Sequence, residues 1–150
     1  MGGKKSPKTN FNPSSIPVKD PKVSSNPSSY YDRNPNWRIS RIELSDPYGW
    51  HILDASMIGY IKEKLSHFET MTWREILMDA KKQHHSISVD QLSKKAQNRL
   101  KETNQDDIES LISLRLSGTQ RIWGVLDQGT LNLLWWDPDH QICLSIKKNT

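Results

Sequence analysis

Three short β-rich runs near the end of the chain constrain its fold more than any other feature. The runs are residues 111–116, 121–126 and 130–136. Gly118 lies in the first gap and Gly129 in the second, where each can adopt the positive φ that tight hairpin turns need. The spacing therefore predicts a three-stranded antiparallel β-meander. A further run, residues 141–146, is predicted to add an edge strand.

Helical periodicity precedes these strands. A first helix is predicted because apolar residues fall on one of its faces, at Ile58, Ile61, Leu65 and Phe68. Thr72 and Glu75 have the spacing of a capping box, in which each residue satisfies an amide of the other. They predict a second short helix with four inward residues, Trp73, Ile76, Leu77 and Ala80.

The order of these elements predicts the α+β class. Residues 37–44 alternate enough to predict an N-terminal strand, and residues 90–103 predict a third helix with Asp90 or Ser88 as its N-cap. An N-terminal strand, two or three helices and then a C-terminal antiparallel β-meander indicate helices packed on one face of the sheet. We therefore predict a single α+β domain over residues 37–150.

The first 36 residues differ in composition from the rest. They contain six of the eight prolines and seven serines, and they carry six Lys or Arg against two Asp. Residues 37–150 carry 15 charges of each sign. A segment with so few large apolar residues cannot bury enough surface to offset its ordering entropy. Residues 1–36 are therefore predicted to be a disordered basic tail, and anion binding by the domain would depend on a local cluster of charge.

Several classes of protein are excluded. The chain has no apolar run of 18 residues, so no stable membrane association is expected. Its single cysteine, Cys143, cannot form an intramolecular disulfide or a cysteine zinc site, which favours a reducing, cytoplasmic location. The motifs of nucleotide-binding enzymes and zinc proteases do not occur, so no cofactor or metal is expected.

One arrangement of residues in the last third of the chain points to a known family. Arg115 and Gly118 end one β-rich run, Arg121 and Trp123 open the next, and His140 follows the apolar run 131–136. This pattern, with helices before the meander, resembles RelE/ParE-type toxins. The resemblance implies a toxin of a bacterial toxin-antitoxin system, most often an endoribonuclease that cuts messenger RNA on the ribosome and is neutralised by an antitoxin protein. It does not separate RNA cleavage from gyrase poisoning.

The requirements of metal-independent RNA cleavage indicate a candidate site. The reaction needs proton exchange and cations beside the phosphate, and histidine is the side chain that titrates near neutral pH. We predict that Arg115 and Arg121 bind phosphate and that His140 exchanges a proton. In the alternative, both arginines are solvent-facing strand residues paired with Glu109 or Asp127, and His140 only completes a turn.

Further nucleic-acid contacts are predicted at Lys94, Lys95, Arg99, Trp136, Lys147 and Lys148. The first three lie on one helix, where a solvated face is the alternative. Strict alternation places adjacent Trp135 and Trp136 on opposite sides of a strand, so one tryptophan ring of the meander is expected to be exposed and able to stack a base. His84 and His85 are predicted to lie in a polar loop.

A noncatalytic function is the second hypothesis. In it, the chain is a protein-interaction module of RelE-like fold whose sheet binds a protein partner.

Overall fold

The computed structural model describes residues 30–80 and 83–144. Five strands form one sheet: β1 (Asn36–Arg38), β2 (His85–Ser88), β3 (Ser110–Ser117), β4 (Gln120–Asp127) and β5 (Thr130–Asp137). The helical elements described are α1 (Ala55–Phe68), α2 (Lys94–Glu102), a π-helical turn Glu75–Asp79, and 3-10 turns Trp50–Ile52 and Val89–Gln91. The fold class is therefore α+β. No helix among the described residues is long and apolar enough to cross a bilayer.

The sheet has the order β1-β5-β4-β3-β2 and is mixed. The predicted meander is present as β3, β4 and β5, and β2 extends it by pairing antiparallel with β3. β1 lies at the other edge, parallel to β5, with Trp37 opposite Leu131. The sheet is therefore larger than the predicted one and is not a plain meander.

Two strand predictions need correction. The strand expected over residues 37–44 covers only Asn36–Arg38, because the chain then turns, with the Ile42 amide bonded to the Ile39 carbonyl. Residues 141–144 form no strand. The remaining residues of that predicted edge strand, 145 and 146, lie outside the described part of the chain.

Helices cover both faces of the sheet. One cluster of buried side chains contains Ile61 of α1, and a second contains Ala96 and Leu100 of α2. Consecutive residues of β3 divide between them, since Leu111 belongs to the α2 cluster and Ile112 to the α1 cluster. The prediction that the helices pack on one face is therefore wrong. Each helix pattern identifies an apolar face but does not say which side of the sheet that face covers.

A bulge in β5 changes the predicted alternation. Trp123 pairs with Trp135, but Gly124 pairs with Leu133, so Leu134 is the extra residue. Leu134 and Trp135 consequently join the same cluster on the α2 face. Gly124 also allows close approach here, because a Cβ at this position would lie 2.6 Å from the Asn132 carbonyl oxygen.

Side chains cap the helical segments. The Asp54 carboxylate accepts the Met57 N–H at 2.8 Å and begins α1. The predicted capping box is confirmed: the Thr72 N–H donates to Glu75 Oε1 at 2.8 Å and the Glu75 N–H to Thr72 Oγ1 at 3.2 Å. The segment that follows is a π-helical turn. The N-cap of α2 is Ser93, in place of the predicted Asp90 or Ser88, because Val89–Gln91 forms a separate 3-10 turn.

The folded part begins before Trp37. Tyr30 and Tyr31 pack against the α1 cluster, and the Arg33 guanidinium donates to the Gln128 carbonyl at 2.8 Å. Asp32 forms an ion pair with Arg74 at 3.0 Å. Residues 30–36 therefore do not belong to the predicted tail, and the rest of that tail, 1–29, lies outside the described residues.

Candidate functional site

Two arginines face each other across the centre of the candidate site. Arg115 of β3 and Arg121 of β4 are directly opposite in the antiparallel register. Side chains in such positions are close neighbours, and like charges there repel. Burial lowers the pKa of Arg121, Arg115 lowers it further, and Asp137 raises it. Within the described residues, neither arginine forms an ion pair with a carboxylate, so the predicted pairing with Glu109 or Asp127 is not found.

Backbone carbonyls hold the Arg121 side chain. Its Nη1 atom donates to the Gly118 carbonyl at 2.7 Å and to the Gln120 carbonyl at 3.2 Å. Gly118 has a φ of +53°, so the turn between β3 and β4 uses the left-handed conformation that glycine favours. The bonds fix the guanidinium beside this turn, where its remaining donors can meet an anion.

A buried histidine completes the cluster. His84 is 6% exposed, and its Nδ1 atom accepts the backbone N–H of Arg115 at 3.1 Å. Its ring meets Phe68 edge to face, with centroids 5.1 Å apart. Burial lowers the pKa of His84 to about 4, helped by the charges of His85, Arg121 and Arg115. The ring is therefore neutral at pH 7, with its proton on Nε2.

Sequence reasoning missed the role of His84. We predicted a polar loop at this point, whereas β2 begins at the next residue and pairs His85 with Ser113. The alternation of Ser86, Ile87 and Ser88, with only Ile87 buried, is the signal that could have predicted this strand.

His140 lies just beyond the end of β5 that pairs with Arg121. It comes three residues after Asp137, which is the register partner of Arg121, and has a φ of +57°. Thr119 Oγ1 donates to the Pro138 carbonyl at 2.6 Å, which ties the β3–β4 turn to the segment that precedes His140. The topology thus brings His140 to the end of the sheet that carries Arg115 and Arg121, and its proton-exchange role stays a prediction.

Asp137 positions the chain around His140. Its carboxylate is 1% exposed and accepts three hydrogen bonds. The donors are Trp123 Nε1 at 3.2 Å, the Gln141 amide at 2.8 Å and the Ile142 amide at 3.1 Å. His140 therefore lies between two fixed points of the backbone.

The predicted nucleic-acid residues of α2 have different environments. Lys94 and Lys95 are exposed, as a phosphate-binding role requires. Arg99 instead forms an ion pair with Glu43 at 2.9 Å and a second with Glu102 at 3.2 Å. The Arg99 guanidinium therefore joins α2 to the segment before Tyr48, and its predicted contact with nucleic acid does not fit. Lys147 and Lys148 lie outside the described residues.

No ring of the meander is available for base stacking. Trp123 and Trp135 are 0% exposed and Trp136 is 3% exposed. The prediction of an exposed ring, and of Trp136 as a nucleic-acid contact, is therefore wrong. Helices and loops on both faces of the sheet bury these rings, with Trp50 lying 6.5 Å from Trp136 between centroids.

Comparison with known proteins gives no relative. No protein-family model, no curated protein and no solved structure matches this chain. In residues 30–80 and 83–144, no three His, Cys, Asp or Glu side chains come together as a metal ion would require. The candidate site consists of Arg115, Arg121 and His84, with His140 beyond the same end of the sheet.

Proposed function

We propose that this protein is a RelE/ParE-type toxin that binds RNA and cleaves it without a metal ion. The observation that carries the proposal is the register pairing of Arg115 with Arg121, two half-buried guanidinium groups without an ion-pair partner among the described residues. A pair of like charges is unfavourable until an anion bridges it. A phosphodiester matches the planar donor fork of arginine.

The chemistry follows from this pair. Attack of a ribose 2′-oxygen on the adjacent phosphorus forms a charged phosphorane and expels the 5′-oxygen, leaving a 2′,3′-cyclic phosphate. Arg115 and Arg121 stabilise that charge, and removal of one such donor typically costs about 100-fold in rate. A histidine side chain takes the proton from the 2′-hydroxyl and returns a proton to the departing 5′-oxygen. His140 is the predicted residue, and His84 holds the Arg115 backbone in place.

The experiment is expression of the full chain in bacteria under an inducible promoter. Growth arrest is expected with the wild type and is relieved by Arg115→Ala, Arg121→Ala or His140→Ala. Arg38→Ala is the matched control, because Arg38 is an exposed strand arginine at the opposite edge of the sheet. Arrest that survives all three site substitutions would reject these roles. Arrest with trapped gyrase–DNA complexes and intact messenger RNA would assign the gyrase target instead.

The noncatalytic hypothesis has one observation in its favour. Ile52 and Leu144 are 62% and 54% exposed, and with Trp136 they line a cavity of about 370 Å³. Exposed apolar surface of this kind often marks a protein partner. If this hypothesis holds, Ile52→Ser abolishes the cellular effect while Arg115→Ala leaves it unchanged.

A further inference from the structure

A groove runs between α1 and the edge of β3. A cavity of about 260 Å³ lies between them, and a second cavity of about 370 Å³, lined by residues of α1 alone, shares Lys64 and His67 with it. The first cavity also reaches His84 and Arg115, and the second reaches Tyr60. The groove therefore leads away from the arginine pair along the surface of α1.

The charge of this groove favours an anion. The cavity at the edge of β3 is lined by two cationic residues, Lys64 and Arg115, and by no Asp or Glu among the described residues, while His84 in its wall is neutral at pH 7. The second cavity adds one acidic residue, Glu63. A concave surface lined mostly by one sign of charge concentrates ligands of the opposite sign.

The positions on α1 give the groove a regular spacing. Tyr60, Lys64 and His67 are separated by four and three residues, so they share one face of the helix. At a rise of ~1.5 Å per residue, they extend over roughly 10 Å. This length suits a short extended ligand with repeated negative charges.

Tyr60 supplies an aromatic surface at the far end. Its hydroxyl is hydrogen-bonded to Ser117 Oγ at 2.8 Å, and Lys64 Nζ lies 5.4 Å from the centre of its ring. Single-stranded nucleic-acid sites combine aromatic rings that stack bases with cations that contact the backbone. An acidic peptide would use the cations but not the ring.

The edge of β3 leaves room for such a ligand. β2 pairs only with residues 110–113 of β3, and in the described part of the chain the next edge amide, that of Arg115, is bonded to the His84 side chain. This short imidazole takes the place of a strand. The groove therefore reaches the backbone of Arg115 at this edge of the sheet.

We propose that this groove binds the single-stranded RNA segment next to the phosphate held by Arg115 and Arg121. Lys64 and His67 contact successive phosphates, and Tyr60 stacks a base. The inference rests on the proposed function, because it extends the same RNA-binding site. It adds three binding residues outside the meander, Tyr60, Lys64 and His67.

The test measures binding of a fluorescent oligonucleotide whose 2′-hydroxyls are methylated, which blocks cleavage. The full chain is titrated at several salt concentrations as wild type and as Lys64→Gln, His67→Gln, Tyr60→Leu and Tyr60→Phe variants. Lys62→Gln is the control, because Lys62 is exposed on the same helix but does not line the groove. Thermal unfolding of each variant checks that it is folded.

Loss of a phosphate contact in Lys64→Gln is expected to weaken binding and reduce the salt slope by about 0.7, and His67→Gln is expected to weaken binding. Tyr60→Leu is expected to weaken binding about tenfold with the slope unchanged, and Tyr60→Phe to keep the wild-type affinity. If these variants behave like Lys62→Gln while Arg115→Ala still abolishes binding, the groove is overturned and the proposed function stands. The proposed RNA-binding role of the groove is also overturned if the wild type binds no oligonucleotide. It is overturned as well if the protein binds only poly-glutamate and this binding depends on Lys64.

Discussion

His84 Nδ1 accepts the backbone N–H of Arg115 at 3.1 Å, so a side chain satisfies the edge of β3 next to the arginine pair. A buried amide that loses its partner costs about 1–3 kcal/mol of unfolding free energy. We therefore expect His84→Ala to lower the free energy of unfolding in urea by about 2 kcal/mol. Gln83→Ala, at an exposed neighbouring position, is the control and should change it by less than about 0.5 kcal/mol. Equal stability of the two variants would show that this bond contributes nothing.

The same histidine makes stability depend on pH. Burial lowers the pKa of His84 from 6.5 to about 4, so between these values the unfolded chain binds a proton that the folded chain does not. The contribution of the neutral ring is therefore fully present above pH 6.5 and is lost as the pH falls toward 4. Between pH 4 and 6.5, the urea midpoint of His84→Gln should depend less on pH than that of the wild type. A wild-type urea midpoint that rises as the pH falls from 6.5 to 4 would contradict this sign.

Asp137 is expected to hold the segment that contains Cys143. Replacing it with Asn puts an N–H₂ group among three N–H donors, and we expect a loss of about 3 kcal/mol. Cys143 is the chain's single cysteine and is 0% exposed, so its reaction with an aromatic disulfide reports local opening. The thiol should react at least tenfold faster in Asp137→Asn than in Asp139→Asn, the exposed control. Unchanged thiol protection in Asp137→Asn would remove this role.

The ion pair between Arg99 and Glu43 is expected to be structural. The Glu43 side chain is 9% exposed, so Arg99→Met leaves a largely buried carboxylate without its main partner. We expect this variant to lose about 2 kcal/mol and the double variant Arg99→Met, Glu43→Gln to recover about half of that loss. Strictly additive effects would contradict the coupling.

The same variants separate Arg99 from the exposed lysines of α2 in RNA binding. RNA affinity should stay unchanged in the double variant, whereas Lys95→Gln should reduce it, because Lys95 is predicted to contact phosphate.

Local sequence patterns predicted the elements that are determined by residues close together in the chain. The meander, α1 and the capping box at Thr72 follow from turn glycines, helical periodicity and side-chain capping. β2 was missed because its alternation covers only Ser86, Ile87 and Ser88, which is a short signal next to a polar run. The placement of helices on both faces depends on long-range packing, which no local pattern contains.

The candidate site also combines features that local patterns predict with features that depend on long-range packing. Arg115 and Arg121 were predicted to be neighbours because a short turn fixes their register. The burial of Trp136 was not predicted: Trp135 and Trp136 lie on opposite faces of the sheet, as the alternation indicates, but both faces are covered. His84 reaches the site from a distant part of the chain, so only the folded structure reveals it.

The measurement that tests the central claim most directly maps RNA ends in a cell-free bacterial translation reaction containing EDTA-treated protein. The reaction offers both free and ribosome-bound messenger RNA. Wild type is expected to produce new ends with 2′,3′-cyclic phosphate and 5′-hydroxyl groups, and Arg38→Ala to produce the same ends. Arg115→Ala and Arg121→Ala should each reduce their rate of formation about 100-fold while remaining folded. New ends that form equally fast in both arginine variants, or their absence with folded wild-type protein, would contradict the proposed role of this pair.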